Sequence, residues 1–291
     1  MNVTGSTSRF RSLDRLSLAG SRVNEDGASL QGCFAWIIDG ATGLSDEQLT
    51  SGGSDAAWLA QLIDARLTAL SGIESASAVL RRLEAEIESA FEAETAHVPA
   101  IEDHHAPSAC LGLVEAMPGA DGHLKLQGRF LGDVIALVPG EHGIVRWSDE
   151  RAKPFERKTL AALGARGHEP GRIPEAVRRQ ILENRTRLNQ ADGYWVVNPR
   201  RSWAGQELRF EAQVRPGEPI VLATDGFMRL VDVFEAYSDS ELHARLAAGE
   251  GQDLMQELRE RERSDLMAGA YPRVKTHDDA TFLVMAAELS G

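Results

Sequence analysis

The chain has 291 residues, 43% of them apolar and 26% charged, a composition that suits a globular fold with one large core or two modest ones. Its net charge of −13 argues against nucleic acid and anionic membranes as partners, since such a surface repels polyanions. No apolar stretch approaches the roughly 18 residues of a membrane span, and the opening MNVTGSTSRFRSLD holds no signal-peptide core, so a soluble, cytoplasmic protein is expected, with reduced, buried thiols at Cys33 and Cys110.

Residues 1–14 are mostly small and polar and are expected to form a flexible terminus, ahead of one domain over 15–291. The apolar run 33–38 before Asp39-Gly40 predicts a buried strand entering a turn. Ala56, Leu59, Ala60, Ile63, Leu67 and Leu70 then recur at helical spacing, with Ser54 or Asp55 as the cap. Leu80, Leu83, Ile87, Ala90 and Phe91 repeat the pattern in a second helix. Strands are predicted over 108–116, 124–130 and 134–138, punctuated by Pro118-Gly119, Asp121-Gly122 and Pro139-Gly140 in the manner of antiparallel hairpins. A helix over 174–188 follows, then a strand over 219–224 that again runs into Asp-Gly. Helices near 240–248 and 253–265 precede a closing strand over 281–287. Hairpin groups interrupted by helix pairs, without strict βαβ alternation, point to an α+β fold of antiparallel sheets covered by helices.

Five segments place a carboxylate where a strand meets a turn: Asn24-Glu25-Asp26, Asp39-Gly40, Gly132-Asp133, Thr224-Asp225-Gly226 and Asp278-Asp279-Ala280-Thr281. A carboxylate at the end of a buried strand is partly dehydrated and needs a compensating charge. No Lys or Arg stands beside Asp39 or Asp225 in the sequence, whereas a hard divalent cation would take such oxygen ligands. Each Asp-Gly alone is first a turn signal; the ordered set is what points to a two-metal, phosphate-hydrolysing centre.

That ordered set, with Pro107-Ser108-Ala109-Cys110 between its second and third members, resembles the motifs of the type-2C metal-dependent Ser/Thr protein phosphatases of bacterial style, over about residues 15–288. The resemblance implies a four-layer α-β-β-α sandwich of two antiparallel sheets flanked by helices. It also implies two divalent metal ions, Mn or Mg, and a phosphorylated protein as substrate. By motif position Asp39 would bridge the metals and the Gly40 carbonyl would bind one. Asp225 and Asp278 would hold one ion and Glu25 the other, with Asp26 on a metal-bound water. Asp133 would belong to a possible third metal. Hydrolysis of phosphoserine or phosphothreonine would proceed by direct attack of a metal-bridging water.

The chain departs from that pattern in four places. The family's phosphate-binding Arg, five residues before the Asp of Asn-Glu-Asp, is replaced by Ser21, and Arg22 stands one position later. A one-residue slip turns a side chain to the other face unless a bulge restores its aim, so Arg22 is either the phosphate ligand or a solvated surface Arg. Ala41 follows the first Asp-Gly where many members have His, which leaves leaving-group protonation to a metal-bound water or another group. Arg229 stands where a third-metal Asp is expected, and Asp279 where many members have Asn. Residues 146–190, corresponding to the family's variable flap, carry eleven Lys and Arg against six acids, which reads either as a field that attracts acidic substrates or as a solvated face balancing an acidic body. His104-His105 reads as a polar loop, and His277 adjoins the ladder. Three functions remain open: a protein phosphatase, a non-catalytic pseudophosphatase binding module, and a phosphatase of small phosphorylated metabolites.

Overall fold

Residues 7–41, 48–70, 75–164 and 173–290 are described in a computed structural model of the chain. Ten strands alternate with helices: β1 Thr7–Leu18, β2 Asp26–Gln31, β3 Phe34–Ala41, α1 Asp55–Leu70, α2 Ala76–Glu94, β4 Ser108–Pro118, β5 Leu124–Leu131, β6 Ile135–Gly140, β7 Gly143–Trp147, α3 Lys153–Leu163, α4 Glu175–Thr186, β8 Leu208–Val214, β9 Pro219–Ala223, α5 Asp225–Asp232, α6 Asp239–Ala247, α7 Gly251–Ser264 and β10 Ala280–Ser290. Two five-stranded sheets result, ordered β1-β10-β9-β6-β7 and β2-β3-β4-β5-β8, and every neighbouring pair is antiparallel.

The two-residue period of a strand explains the layering. In β3, Phe34, Trp36 and Ile38 face the helical layer of α1 and α2, packing with Leu59, Ile63, Leu67, Leu83 and Ile87. Ala35 and Ile37 face the other sheet, where they meet Ala136, Leu222, Leu283 and Met285. The far side of that second sheet, through Leu137, Val221, Phe282 and Val284, packs on α5, α6 and α7 through Phe227, Leu230, Leu242 and Leu258. Each fully buried aliphatic side chain contributes about 2 kcal/mol of transfer free energy, so both faces of both sheets are stably covered. The four-layer α-β-β-α sandwich is therefore the architecture.

Three expectations need correction. The stretch called flexible contains a strand: β1 pairs along its length with β10 from Thr7. Only its Phe10 is buried, so the segment lacks apolar periodicity and is held by ladder hydrogen bonds. The strands β5 and β6 are no hairpin, because the chain crosses at Gly132 (φ 74°) into the other sheet. Asp225-Gly226 opens a helix rather than a turn. Among the described residues no helix is long and apolar enough to cross a membrane, and both cysteines are free.

Candidate functional site

Strand register brings the acidic segments to one end of the sandwich. Asp26 opens β2 directly opposite Asp39 near the end of β3, and Asp39 in turn lies opposite Cys110 of β4. In the other sheet Ala223 lies between Ile135 and Phe282, so Asp133, Asp225 and Asp278 leave their strands on the same side. The sheets stack, and the five carboxylates face one another across the gap between them. Backbone approach is close here. A Cβ on Gly40 would lie 2.6 Å from the Glu25 carbonyl oxygen, and one on Gly226 only 1.9 Å from that of Asp279. Glycine is required at both positions because the colliding atoms are backbone.

Each carboxylate has identifiable partners. Asp26 accepts from Thr224 Oγ1 at 2.8 Å, and that hydroxyl accepts from the Thr281 N–H at 3.0 Å. Glu25 accepts from Ser54 Oγ at 2.5 Å; the same Ser54 oxygen accepts from the Ala57 N–H at the start of α1, which ties Glu25 to that helix. Asp278 is held on both oxygens, by Arg229 Nη2 at 2.7 Å and by Lys275 Nζ at 2.8 Å. Asp133 pairs with Glu156, which reaches it from α3.

The electrostatics follow from this crowding. Burial, then the charges of Asp26, Asp225, Asp133 and Asp278, push the Asp39 carboxyl well above the usual range. Asp26 is raised by burial too, against the opposing Thr224 and Thr281 bonds. Loss of hydration, then Asp133 and Asp278, raises Asp225 to about 6. Glu156 rises to about 8 through loss of hydration and Asp133. Asp278 goes the other way: its burial is outweighed by Lys275 and Arg229, which hold it low.

These directions fix a pH dependence for the metal-free protein. Four carboxyls that keep protons in the fold release them on unfolding above pH 4, so the stability they contribute is complete at low pH and is lost as pH rises through their raised folded values, about 6 for Asp225 and about 8 for Glu156. In EDTA, Tm is expected to fall by roughly 5 °C between pH 5 and pH 8. Scanning calorimetry at the two pH values checks it; a Tm that rises over this interval contradicts the carboxylate crowding.

A set of carboxylate oxygens forced together with raised proton affinity is chemically suited to a hard divalent cation. As the side chains stand, no group of three His, Cys, Asp or Glu among the described residues is arranged to hold an ion. The partners just named explain that: hydroxyls take Asp26 and Glu25, and two cations take Asp278. No Lys or Arg adjoins Asp39 or Asp225 in the sequence, but Arg229 and Lys275 bring positive charge to the acidic cluster through space. Arg229 is buried, and its other amino group donates to Glu262 Oε1 at 2.9 Å, so it is aimed at the protein rather than at a phosphate. His277 also serves Glu262, at 2.8 Å.

Arg22 is exposed and makes no hydrogen bond or ion pair with the described residues. It rides on a loop clipped at both ends by one side chain: Asp279 accepts from the Gly20 N–H and the Glu25 N–H, each at 2.7 Å. Asp279 was given no role from the sequence, and the register of Arg22 and Glu25 depends on it. Asp279→Ala is expected to lower stability by about 2 kcal/mol by orphaning two amides, whereas Asp279→Asn, with one acceptor left, loses about half of that. Urea titration distinguishes them, and equal losses would contradict the clip. Ala41 closes β3, and its neighbours Thr42 and Gly43 lie outside the described residues.

Sequence reasoning also missed Glu156, which adjoins no acidic motif, and Lys275, whose place three residues before Asp278 is the signal that could have found it. The basic character of 146–190 is largely consumed internally. Arg146 pairs with Asp232 and Asp239, Arg151 with Asp149, Lys153 with Glu150 and Arg187 with Asp192, while buried Arg185 donates to the His104 and Ala106 carbonyls. Arg166, Glu169 and Arg172 lie outside the described residues. His104 and His105 sit in a polar turn with their rings 4.2 Å apart. A cleft of about 470 Å³ borders the acidic end, lined by Arg15, Ser17, Asn24, Asp26 and Asp64 among others.

No family model matches the chain, and no curated protein matches its sequence. Solved structures do match its fold. The serine/threonine phosphatase PstP/Ppp of Mycobacterium tuberculosis superposes with a TM-score of 0.55 at 17% identity, covering 97% of this chain and 99% of that one. PppA, a regulatory component of the type VI secretion system in Pseudomonas aeruginosa, gives 0.52 at 19% identity, with 97% and 99% covered. The catalytic domain of PstP in complex with two manganese ions gives 0.52 at 15% identity, with 97% and 100% covered. The chain has the fold of the bacterial PPM Ser/Thr phosphatases.

Proposed function

We propose that the protein is a metal-dependent phosphomonoester hydrolase that removes phosphate from phosphoserine and phosphothreonine in proteins. The observation that carries this reading is the convergence of Asp26, Asp39, Asp133, Asp225 and Asp278 at one end of a phosphatase-type sandwich. Two divalent ions, Mn²⁺ or Mg²⁺, would be held by Asp39, the Gly40 carbonyl, Glu25, Asp225 and Asp278, as two manganese ions are held in the PstP domain. When bound they supply Lewis acidity and an acidified water.

The chain's own residues do the rest. Thr224 and Thr281 fix the Asp26 carboxylate, so that it accepts a hydrogen bond in one orientation. The Asp279 clip sets the height of the loop from which Arg22 meets a phosphate oxygen, and a guanidinium suits that contact through its paired donors. Glu156, raised to about 8, keeps its proton at neutral pH and gives its hydrogen bond to Asp133 at the side of the site.

One observation favours a second reading, a non-catalytic binding module: the Asp278 carboxylate is already neutralised by Arg229 and Lys275. The decisive assay offers p-nitrophenyl phosphate and a phosphothreonine peptide to the purified protein with Mn²⁺, with Mg²⁺ and with EDTA. Metal-dependent hydrolysis of both is expected. No turnover with either metal would leave the binding module, and turnover of p-nitrophenyl phosphate without the peptide would favour small metabolites.

A further inference from the structure

The two cations on Asp278 differ in one respect that matters. Arg229 is 6% exposed, enclosed beside Phe227 and Leu230 of its own helix, and anchored to Glu262, itself 0% exposed. Its Nη1 also donates to the Lys275 carbonyl at 3.4 Å, so it holds the backbone from which Lys275 projects. Lys275 is the more accessible of the two: 52% of its side chain is exposed, and it lies in the irregular segment before β10. The ammonium meets Asp278 Oδ1 at 2.8 Å, and the charges of Asp39 and Glu25 add to the negative field around it. One carboxylate oxygen is thus held by a buried cation and the other by an exposed one.

Resting on the metal-centre reading above, we propose that Lys275 is a built-in counterion of the acidic centre that competes with a divalent cation for Asp278. In the metal-free protein the ammonium offsets part of the repulsion among the carboxylates. An ion that engages Asp278 Oδ1 competes with the ammonium already 2.8 Å from that oxygen, because the two like charges repel at so short a separation and the exposed ammonium, unlike a bridging metal, loses little by turning out to water. Arg229 stays in place and keeps Oδ2. The centre therefore fills in two unequal steps, and the step that recruits Asp278 is the weaker one by the amount needed to release Lys275.

The test is Mn²⁺ binding to the full chain, by titration calorimetry with free Mn²⁺ counted by electron paramagnetic resonance, for the unaltered protein, Lys275→Ala and Lys275→Arg. The weaker Mn²⁺ step is expected to tighten by about tenfold in Lys275→Ala, the size expected for removing one partly screened like charge, and to stay weak in Lys275→Arg. In an Asp278→Asn background, Lys275→Ala is expected to change little, since the carboxylate charge for which the two cations compete is gone. The same Mn²⁺ affinities for the unaltered protein and Lys275→Ala overturn the proposal, as does absence of Mn²⁺ binding in both. Neither result depends on turnover: tightened binding without hydrolysis of p-nitrophenyl phosphate would remove the catalytic reading and leave the counterion, and hydrolysis with unchanged binding would do the reverse.

Discussion

Asp39→Asn is expected to reduce metal-dependent hydrolysis of p-nitrophenyl phosphate by about a thousandfold or more and, in the same protein, to raise the Tm measured in EDTA. The two effects share one cause. Asp39 faces Asp26 directly across the β2–β3 ladder, and the charges of Asp225, Asp133 and Asp278 also bear on it. Like charges directly opposite one another destabilise a sheet, so replacing one of them relieves the metal-free fold by about 1 kcal/mol. An Asn amide is a donor and preserves the hydrogen bond that the Asp39 carboxyl gives to Asp225. The substitution therefore spares the architecture while removing the oxygen that would be shared between two ions. Thermal melts with and without Mn²⁺ separate the contributions: the unaltered protein should gain stability on Mn²⁺ addition, and Asp39→Asn should gain little. An undiminished Mn²⁺ response, or undiminished hydrolysis, would remove Asp39 from the centre of the site.

What the sequence disclosed, and what it hid, follows from the range over which each signal acts. The strand at 34–41 is legible as a continuous apolar run buried on both faces, and the helices at 55–70 and 76–94 because one face at a period of 3.6 is buried. β2 hides because Asp-Gly-Ala-Ser-Leu-Gln is half-buried throughout and shows no two-residue contrast. β8 does alternate, with Leu208, Phe210, Ala212 and Val214 between polar residues, and went unread only because its neighbourhood is irregular. α5 was concealed by local chemistry. Asp-Gly favours a turn, but Phe227, Met228 and Leu230 bury against β10 and α7, and packing decides. The acidic residues of the site were visible because each sits at a strand end. Their partners were less so: Glu156 and Arg229 reach Asp133 and Asp278 only after distant segments fold together, while Lys275, three residues before Asp278, lies within local reach.

Arg229→Met is expected to lower unfolding stability by about 3 kcal/mol, or a Tm decrease of roughly 5 °C for a chain of this size. Glu262 has no solvent exposure and depends on Arg229, Arg259 and His277, at 2.9, 2.7 and 2.8 Å. Methionine fills much of the volume but leaves one buried carboxylate oxygen without its donor, and breaking one side of such a pair costs more than the pair itself contributes. The loss also reaches the site. Asp278 keeps only the exposed Lys275, and the backbone at Lys275 loses its tie to α5. Arg229→Lys should fall between, because one ammonium cannot span Glu262 and Asp278 as the planar guanidinium does. Arg229→Asp would restore the acid that the resembled motif places here, yet it would set a third carboxylate beside Glu262 and Asp278 in a buried position. It should destabilise the fold more than Arg229→Met does at low metal concentration. Urea titrations of the three variants order them; an Arg229→Met loss below 1 kcal/mol would mean that Arg259 and His277 alone satisfy Glu262, and that the guanidinium is an accessory to Asp278 rather than the joint between α5, α7 and the acidic centre.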